Sequence, residues 1–89
     1  MMKRYYIIYK GRVQGVGFRW QLAQIARKYD LTGYCRNLYN GDVEVEIQGD
    51  KVDEFLEESL KPQHFIDVED YAIKSIDIDT HETTFDVRY

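Results

Sequence analysis

Residues 11–19, GRVQGVGFR, combine three glycines with two arginines directly after the apolar run YYIIY. Gly15 and Gly17 can adopt positive φ and carry no Cβ, so successive backbone N–H groups can converge on one point. Arg19 adds a planar set of donors that suits two phosphate oxygens. The segment indicates a site for a dianion such as phosphate, and equally fits a glycine-rich turn that serves only tight packing.

A second candidate group is Asn37, within GYCRNLYNGDVEVEIQG at residues 33–49. A side-chain amide accepts a hydrogen bond from water and donates one to a phosphoryl or carbonyl oxygen. Asn37 can therefore position a nucleophile without acting as a base. The alternative is that it binds backbone at a strand end, as most such asparagines do.

The elements that must position these groups follow from periodicity and turn signals. Residues 4–10 predict a strand, and the apolar spacing from Phe18 to Tyr29 predicts a helix. A short strand from Leu31 to Leu38 is joined through Asn40-Gly41, a hairpin signal, to DVEVEIQ. There, alternation predicts one buried face and one wet face, the latter carrying Glu44 and Glu46.

The second half of the chain predicts a helix, a long strand and a final strand. Asp50 is the expected N-cap of the helix, whose inner stripe includes Val52 and Phe55. Tyr71 to Ile78 predict a long strand with a shift of phase between Ile73 and Ile76, and alternation over Phe85–Tyr89 predicts the last one. The order βαββαβ plus one strand predicts an α+β ferredoxin-like sandwich. We expect an antiparallel sheet, two helices on one face and a short C-terminal strand.

Length and composition indicate one domain, residues 1–89, with 44% hydrophobic residues. No apolar run approaches the roughly 20 residues that cross a bilayer. Basic residues precede the five-residue run YYIIY, but it is too short for a signal peptide and no small-residue cleavage site follows. A single cysteine, Cys35, fits a reducing cytoplasm. We therefore expect a cytoplasmic protein that uses no membrane, and a monomer.

Charge is divided unevenly along the chain. Residues 1–36 hold eight Lys/Arg against one acid, whereas residues 37–89 hold four against fifteen. The basic first part can attract an anion, and the acidic remainder argues against wrapping a long polyanion. The alternative is that these charges lie on a solvated surface, where their uneven distribution has no function.

At the two segments described above, the sequence resembles the acylphosphatase family. GRVQGVGFR and the run G-Y-C-R-N…N-G-D-V…Q-G are similar to that family's two signature segments, in the same order, and the resemblance covers nearly the whole chain. It implies metal-independent, cofactor-free hydrolysis of the carboxyl–phosphate bond of acyl phosphates, with inorganic phosphate as product and inhibitor. By the same resemblance, Asn37 would orient the attacking water. The phosphoryl group would be bound by the 15–19 amides and by the Arg19 side chain, that is by Gly15, Val16, Gly17, Phe18 and Arg19.

The sequence departs from that family in KPQHFIDVEDY, residues 61–71, where a Gly-Pro type connection is expected. Attack at phosphorus is what the resemblance implies, and attack at the carbonyl stays open. A cysteine phosphatase is disfavoured because Gly41 stands where its arginine is required, so Cys35 is expected in the core. His64 and His81 have no partner at ligand spacing, so we expect no metal site.

The alternative function is a non-catalytic anion- or RNA-binding ferredoxin-like module, for example an accessory domain within a larger maturation enzyme. Neither the P-loop nor the GxGxxG pattern is present. RNA is disfavoured because Glu44 and Glu46 occupy the exposed sheet face and the glycine–aromatic pattern of RNA-binding sheets is absent. The joint presence of Arg19 and Asn37 favours the enzyme.

Overall fold

The structure, a computed structural model, describes all residues 1–89. The first strand, β1, covers Lys3–Arg12, and the first helix, α1, covers Phe18–Lys28. A hairpin follows, in which β2 is Thr32–Asn37 and β3 is Val43–Gly49. The remaining elements are α2 at Val52–Ser59, β4 at Asp67–Ile76 and β5 at Phe85–Arg88. No helix is long and apolar enough to cross a membrane.

The five strands form one sheet in the order β4-β1-β3-β2-β5. β1 pairs antiparallel with β3 and β4, and β2 pairs antiparallel with β3. These four strands and the two helices make the predicted ferredoxin-like sandwich. The short final strand β5 pairs in parallel with β2, so the complete sheet is mixed.

Both helices pack on one face of the sheet and enclose a core of 17 buried residues. Alternation along the strands supplies one layer, because Ile7 and Tyr9 of β1 face the same side as Val43, Val45 and Ile47 of β3. The helices supply the other layer from their apolar faces, namely Phe18, Leu22, Ala23, Ile25, Ala26, Val52 and Phe55.

The opposite face of the sheet differs from the prediction of a wet surface. Glu44 is 7% exposed and Gln48 is 2% exposed. Burial alone would raise the pKa of Glu44, but hydrogen bonds from Tyr6, Arg36 and Tyr34 outweigh it and lower that pKa. The prediction was wrong because donors from the neighbouring strands satisfy these polar groups and cover them.

Three smaller differences concern the second half of the chain. The N-cap of α2 is Lys51, without a side-chain capping bond, and Asp50 instead lies 3.6 Å from the N-terminal amine. The register shift of β4 occurs opposite Lys10/Gly11 rather than between Ile73 and Ile76. Residues 61–71, the departure noted above, contain an isolated bridge between Gln63 and Ile66 and then enter β4.

Candidate active site

The loop between β1 and α1 carries the glycines of the first segment. Gly15 has φ 72° and Gly17, the N-cap of α1, has φ 82°. A Cβ at either position would meet no atom within 4 Å, so the glycines serve the backbone conformation and not close packing. Gly11 is different, because a Cβ there would lie 2.4 Å from the backbone oxygen of Asp67. Tight packing therefore explains the glycine at position 11, but it does not explain the glycines at positions 15 and 17.

This loop and the first turn of α1 present a row of uncommitted donors. The backbone N–H groups of residues 15–20 donate to no acceptor in the protein; the first N–H group of α1 that bonds is that of Gln21, to the oxygen of Gly17. The start of a helix adds a partial positive charge at the same point. Free N–H groups at the start of a helix suit an anion, and we call the backbone of residues 15–20 the anion cradle.

Arg19 lies at the edge of the anion cradle with most of its donors free. Its Nη1 donates to the carbonyl oxygen of Arg88 at 2.9 Å, and its guanidinium carbon lies 4.7 Å from the centre of the Tyr89 ring. No carboxylate lies within 4.0 Å of it, since it takes part in none of the ion pairs of the chain. A guanidinium has five N–H donors, so a bidentate contact to an anion is still available.

Asn37 is the last residue of β2 and is exposed. Its backbone is in register with Val43 of β3, but its side-chain amide makes no hydrogen bond in the protein. The alternative role, a hydrogen bond from the Asn37 side chain to backbone at the strand end, is therefore not observed. The amide faces the same pocket as the anion cradle.

One pocket of about 300 Å³ brings the predicted residues together. Gly15, Gly17, Phe18, Arg19 and Asn37 all line it, whereas Val16 does not and packs partly against the core. The remaining lining residues, which sequence reasoning missed, are Val13, Trp20, Ala23, Arg27, Val87 and Tyr89. Arginines are its only charged side chains, so the pocket favours an anion.

The sequence contains a signal for the position of Arg27 in the pocket but none for that of Tyr89. Arg27 follows Arg19 and Ala23 at spacings of four residues, which places the three on one stripe of α1. Tyr89 reaches the site only because β5 pairs in parallel with β2, a pairing that no local pattern reveals.

Gln14 is a further residue that the sequence analysis missed. Its Nε2 donates to the carbonyl oxygens of Leu38 and Asp42, at 2.7 and 2.8 Å. These bonds tie the start of the loop to the β2–β3 turn, which begins directly after Asn37. The one available signal was that Gln14 is the only polar side chain between Arg12 and Arg19.

The rival chemistries considered above lack the required groups. Cys35 is fully buried behind α1, and burial raises the pKa of its thiol to about 12, so the thiol is protonated at neutral pH. Its location in the core agrees with the prediction. His64 and His81 are exposed, and no three His, Cys, Asp or Glu side chains come together as metal ligands.

Comparison with known proteins shows similarity to acylphosphatases over nearly the whole chain. A family model described as acylphosphatase matches residues 5–87. An acylphosphatase of Clostridium beijerinckii is 42% identical over 99% of this chain and 100% of its own length. One of Clostridium acetobutylicum is 40% identical over the full length of both. The crystal structure of acylphosphatase from Bacillus subtilis superposes with a TM-score of 0.91, at 32% identity and full coverage of both chains.

Proposed function

Because this chain belongs to the acylphosphatase family, we propose that its pocket hydrolyses the carboxyl–phosphate bond of small acyl phosphates by the following division of labour. The anion cradle binds the phosphoryl group, Arg19 contacts it by a fork of two donors, and Asn37 orients the attacking water. Residues 1–89 act as a single domain.

The observation that carries this proposal is the row of free N–H groups at residues 15–20 beside an unpaired arginine. Unbonded amides at a preformed helix start offer fixed dipoles to the phosphoryl oxygens, and no reorganisation is needed during the reaction. The pocket lining contains no Asp or Glu side chain, and its charged side chains are both arginines. Binding and charge stabilisation are therefore assigned to the same group of donors.

The reaction itself asks little of the protein beyond positioning. A water held by the free amide of Asn37 attacks phosphorus, its oxygen forms the new P–O bond, and the bond to the acyl oxygen breaks in line. The carboxylate leaves with the electron pair, and the proton of the water passes to a phosphate oxygen. A carboxylate is a weakly basic leaving group, so a strong general base is unnecessary.

Several properties complete the proposal. No metal or cofactor takes part, since fixed amides and Arg19 supply the positive charge. Inorganic phosphate, the product, competes for the anion cradle. We place the protein in the cytoplasm, where its single free cysteine would stay reduced, and propose that it works as a monomer.

The alternative of an RNA-binding module receives no support from the helix-free face of the sheet. Tyr34 is buried and its hydroxyl donates to Glu44 at 2.9 Å, while Arg88 covers its ring at 4.0 Å. Bases need exposed aromatic faces on which to stack. On this face Tyr34 is instead buried beside Glu44 and Glu46.

The test is hydrolysis of benzoyl phosphate with and without a chelator. Activity should persist in the chelator, and water labelled with ¹⁸O should place the label in phosphate and not in benzoate. Arg19→Ala should raise KM and lower kcat, and Arg19→Lys should rescue poorly because a point charge cannot form the fork. Arg12→Ala, which removes an exposed charge from the same segment, is the matched control and should behave as wild type.

A protein that releases no benzoate at any enzyme concentration would contradict the proposal and favour the binding module. Label in benzoate would instead move the attack to the carbonyl carbon. Near wild-type kinetics of Arg19→Lys would exclude bidentate binding.

A further inference from the structure

The pocket is longer than a phosphoryl group requires. Arg19, Ala23 and Arg27 all line it and stand four residues apart on α1. At 1.5 Å per residue, the Cα atoms of Arg19 and Arg27 are about 12 Å apart along the helix. A phosphoryl group in the anion cradle occupies only the end at Arg19, so a groove along α1 remains for another part of the ligand.

The direction of the acyl group follows from in-line attack, and this step rests on the proposed function. Water held by Asn37 enters on one side of phosphorus, so the acyl oxygen must leave on the opposite side. Asn37 and Arg27 line the same pocket, which extends from the anion cradle along α1. We therefore place the acyl group on the side of phosphorus away from Asn37, along α1 toward Arg27.

The walls of this groove are apolar in the middle and positively charged at the two ends. Ala23 leaves room because its side chain is small, and Val87 and the 68% exposed Trp20 give apolar surface. Arg27 is exposed at the far end and forms no ion pair in the protein. An apolar middle with a cation at each end fits a ligand that is anionic at both ends.

We propose that Arg27 is a specificity-determining residue that binds a second anionic group at the distal end of the acyl chain. The preferred substrates are then acyl phosphates whose acyl part carries a carboxylate or phosphate remote from the reacting bond. Such a ligand lies over Ala23 and Val87 and beside Trp20. Arg27 contributes to binding and takes no part in breaking the bond.

The experiment compares two substrates of similar size, 4-carboxybenzoyl phosphate and 4-methylbenzoyl phosphate. Both are rigid, and only the first has a distal anion. The readout is the ratio of kcat/KM for the carboxy substrate to that for the methyl substrate. In Arg27→Gln this ratio should fall about 3- to 10-fold, the scale of one solvent-exposed charge-assisted contact. Arg27→Lys should restore part of it.

Lys28→Gln is the matched control, because it removes the same charge one residue away. Lys28 lies on the other side of α1, where its ammonium pairs with Glu58 at 2.6 Å. The ratio should not change in this variant. An equal fall in both variants would mean that the overall surface potential sets the ratio, and would overturn the role of Arg27.

The two proposals fail in different ways. If the wild-type protein hydrolyses neither substrate, the proposed function is wrong, and this inference fails with it. If it hydrolyses both and Arg27→Gln leaves the ratio unchanged, only the inference about Arg27 is wrong.

Discussion

Replacing Gln14 with alanine removes the side chain that hydrogen-bonds the start of the loop before α1 to the turn after Asn37. Both lost hydrogen bonds come from Nε2, to the carbonyl oxygens of Leu38 and Asp42. Each acceptor keeps another donor, since Leu38 accepts from the N–H of Gly41 at 3.2 Å and Asp42 accepts from the N–H of Leu38 at 2.9 Å. No carbonyl is left without a partner, which limits the loss of stability.

The expected cost to folding is about 1–3 kcal/mol, from two hydrogen bonds worth roughly 0.5–1.5 kcal/mol each. We also expect the substitution to lower kcat/KM. Once the tie is lost, the loop and the β2–β3 turn can move apart, and a displacement near 1 Å can cost about 100-fold in rate. We therefore predict that kcat/KM for benzoyl phosphate falls about 10- to 100-fold.

The assay combines urea denaturation with steady-state kinetics on Gln14→Ala. Gln24→Ala is the matched control, because Gln24 is exposed on α1, makes no side-chain hydrogen bond and lies outside the pocket. The control should keep wild-type activity. If Gln14→Ala shows both wild-type stability and wild-type kcat/KM, the link between the loop and the turn has no role.

Three further predictions concern the ring beside Arg19, phosphate binding and alkaline pH. Tyr89→Ala should raise KM about 2- to 5-fold through loss of a cation–π contact worth roughly 0.5–1 kcal/mol, whereas Tyr89→Phe should not; equal KM values in both would refute the contact. Phosphate at about 100 times its Kd should stabilise the fold by about 2.7 kcal/mol, and a melting temperature that does not respond would count against the anion cradle. Burial raises the pKa of Cys35 to about 12, and the hydrogen bond to Glu44, with burial, raises that of Tyr6 to about 12. Because the folded protein holds these protons more tightly, the contribution of these two groups to the free energy of unfolding should be fully present up to about pH 9 and be lost toward pH 12, and urea denaturation that is equal at pH 8 and 11 would contradict this.

Features of the fold that depend on neighbouring residues in the chain could be predicted from the sequence. The alternation of Val43, Val45 and Ile47 predicted one buried face of β3, and the glycines at 15 and 17 predicted the loop before α1. Positive φ and burial by alternation depend on a residue and its immediate neighbours in the chain. These features could therefore be read without knowledge of the tertiary structure.

The failures arose where distant segments meet. Glu44 was expected in water because its own strand alternates, but Tyr6 and Tyr34 come from the strands on either side and cover it. Tyr89 and Gln14 were missed for the same reason, since the pairing of β5 with β2 and the contact with the β2–β3 turn place them. Single-strand periodicity carries no information about such partners.

The central claim, that Asn37 orients water while the anion cradle binds phosphate, is tested most directly by kcat and phosphate inhibition of Asn37→Ala. The side chain is exposed and makes no hydrogen bond in the protein, so its removal should change stability by less than about 0.5 kcal/mol. We predict that kcat for benzoyl phosphate falls roughly 100- to 1,000-fold, the scale for one oriented polar group, while the inhibition constant of phosphate stays within about twofold of wild type. Wild-type kcat in the folded variant would remove Asn37 from the mechanism and contradict the account.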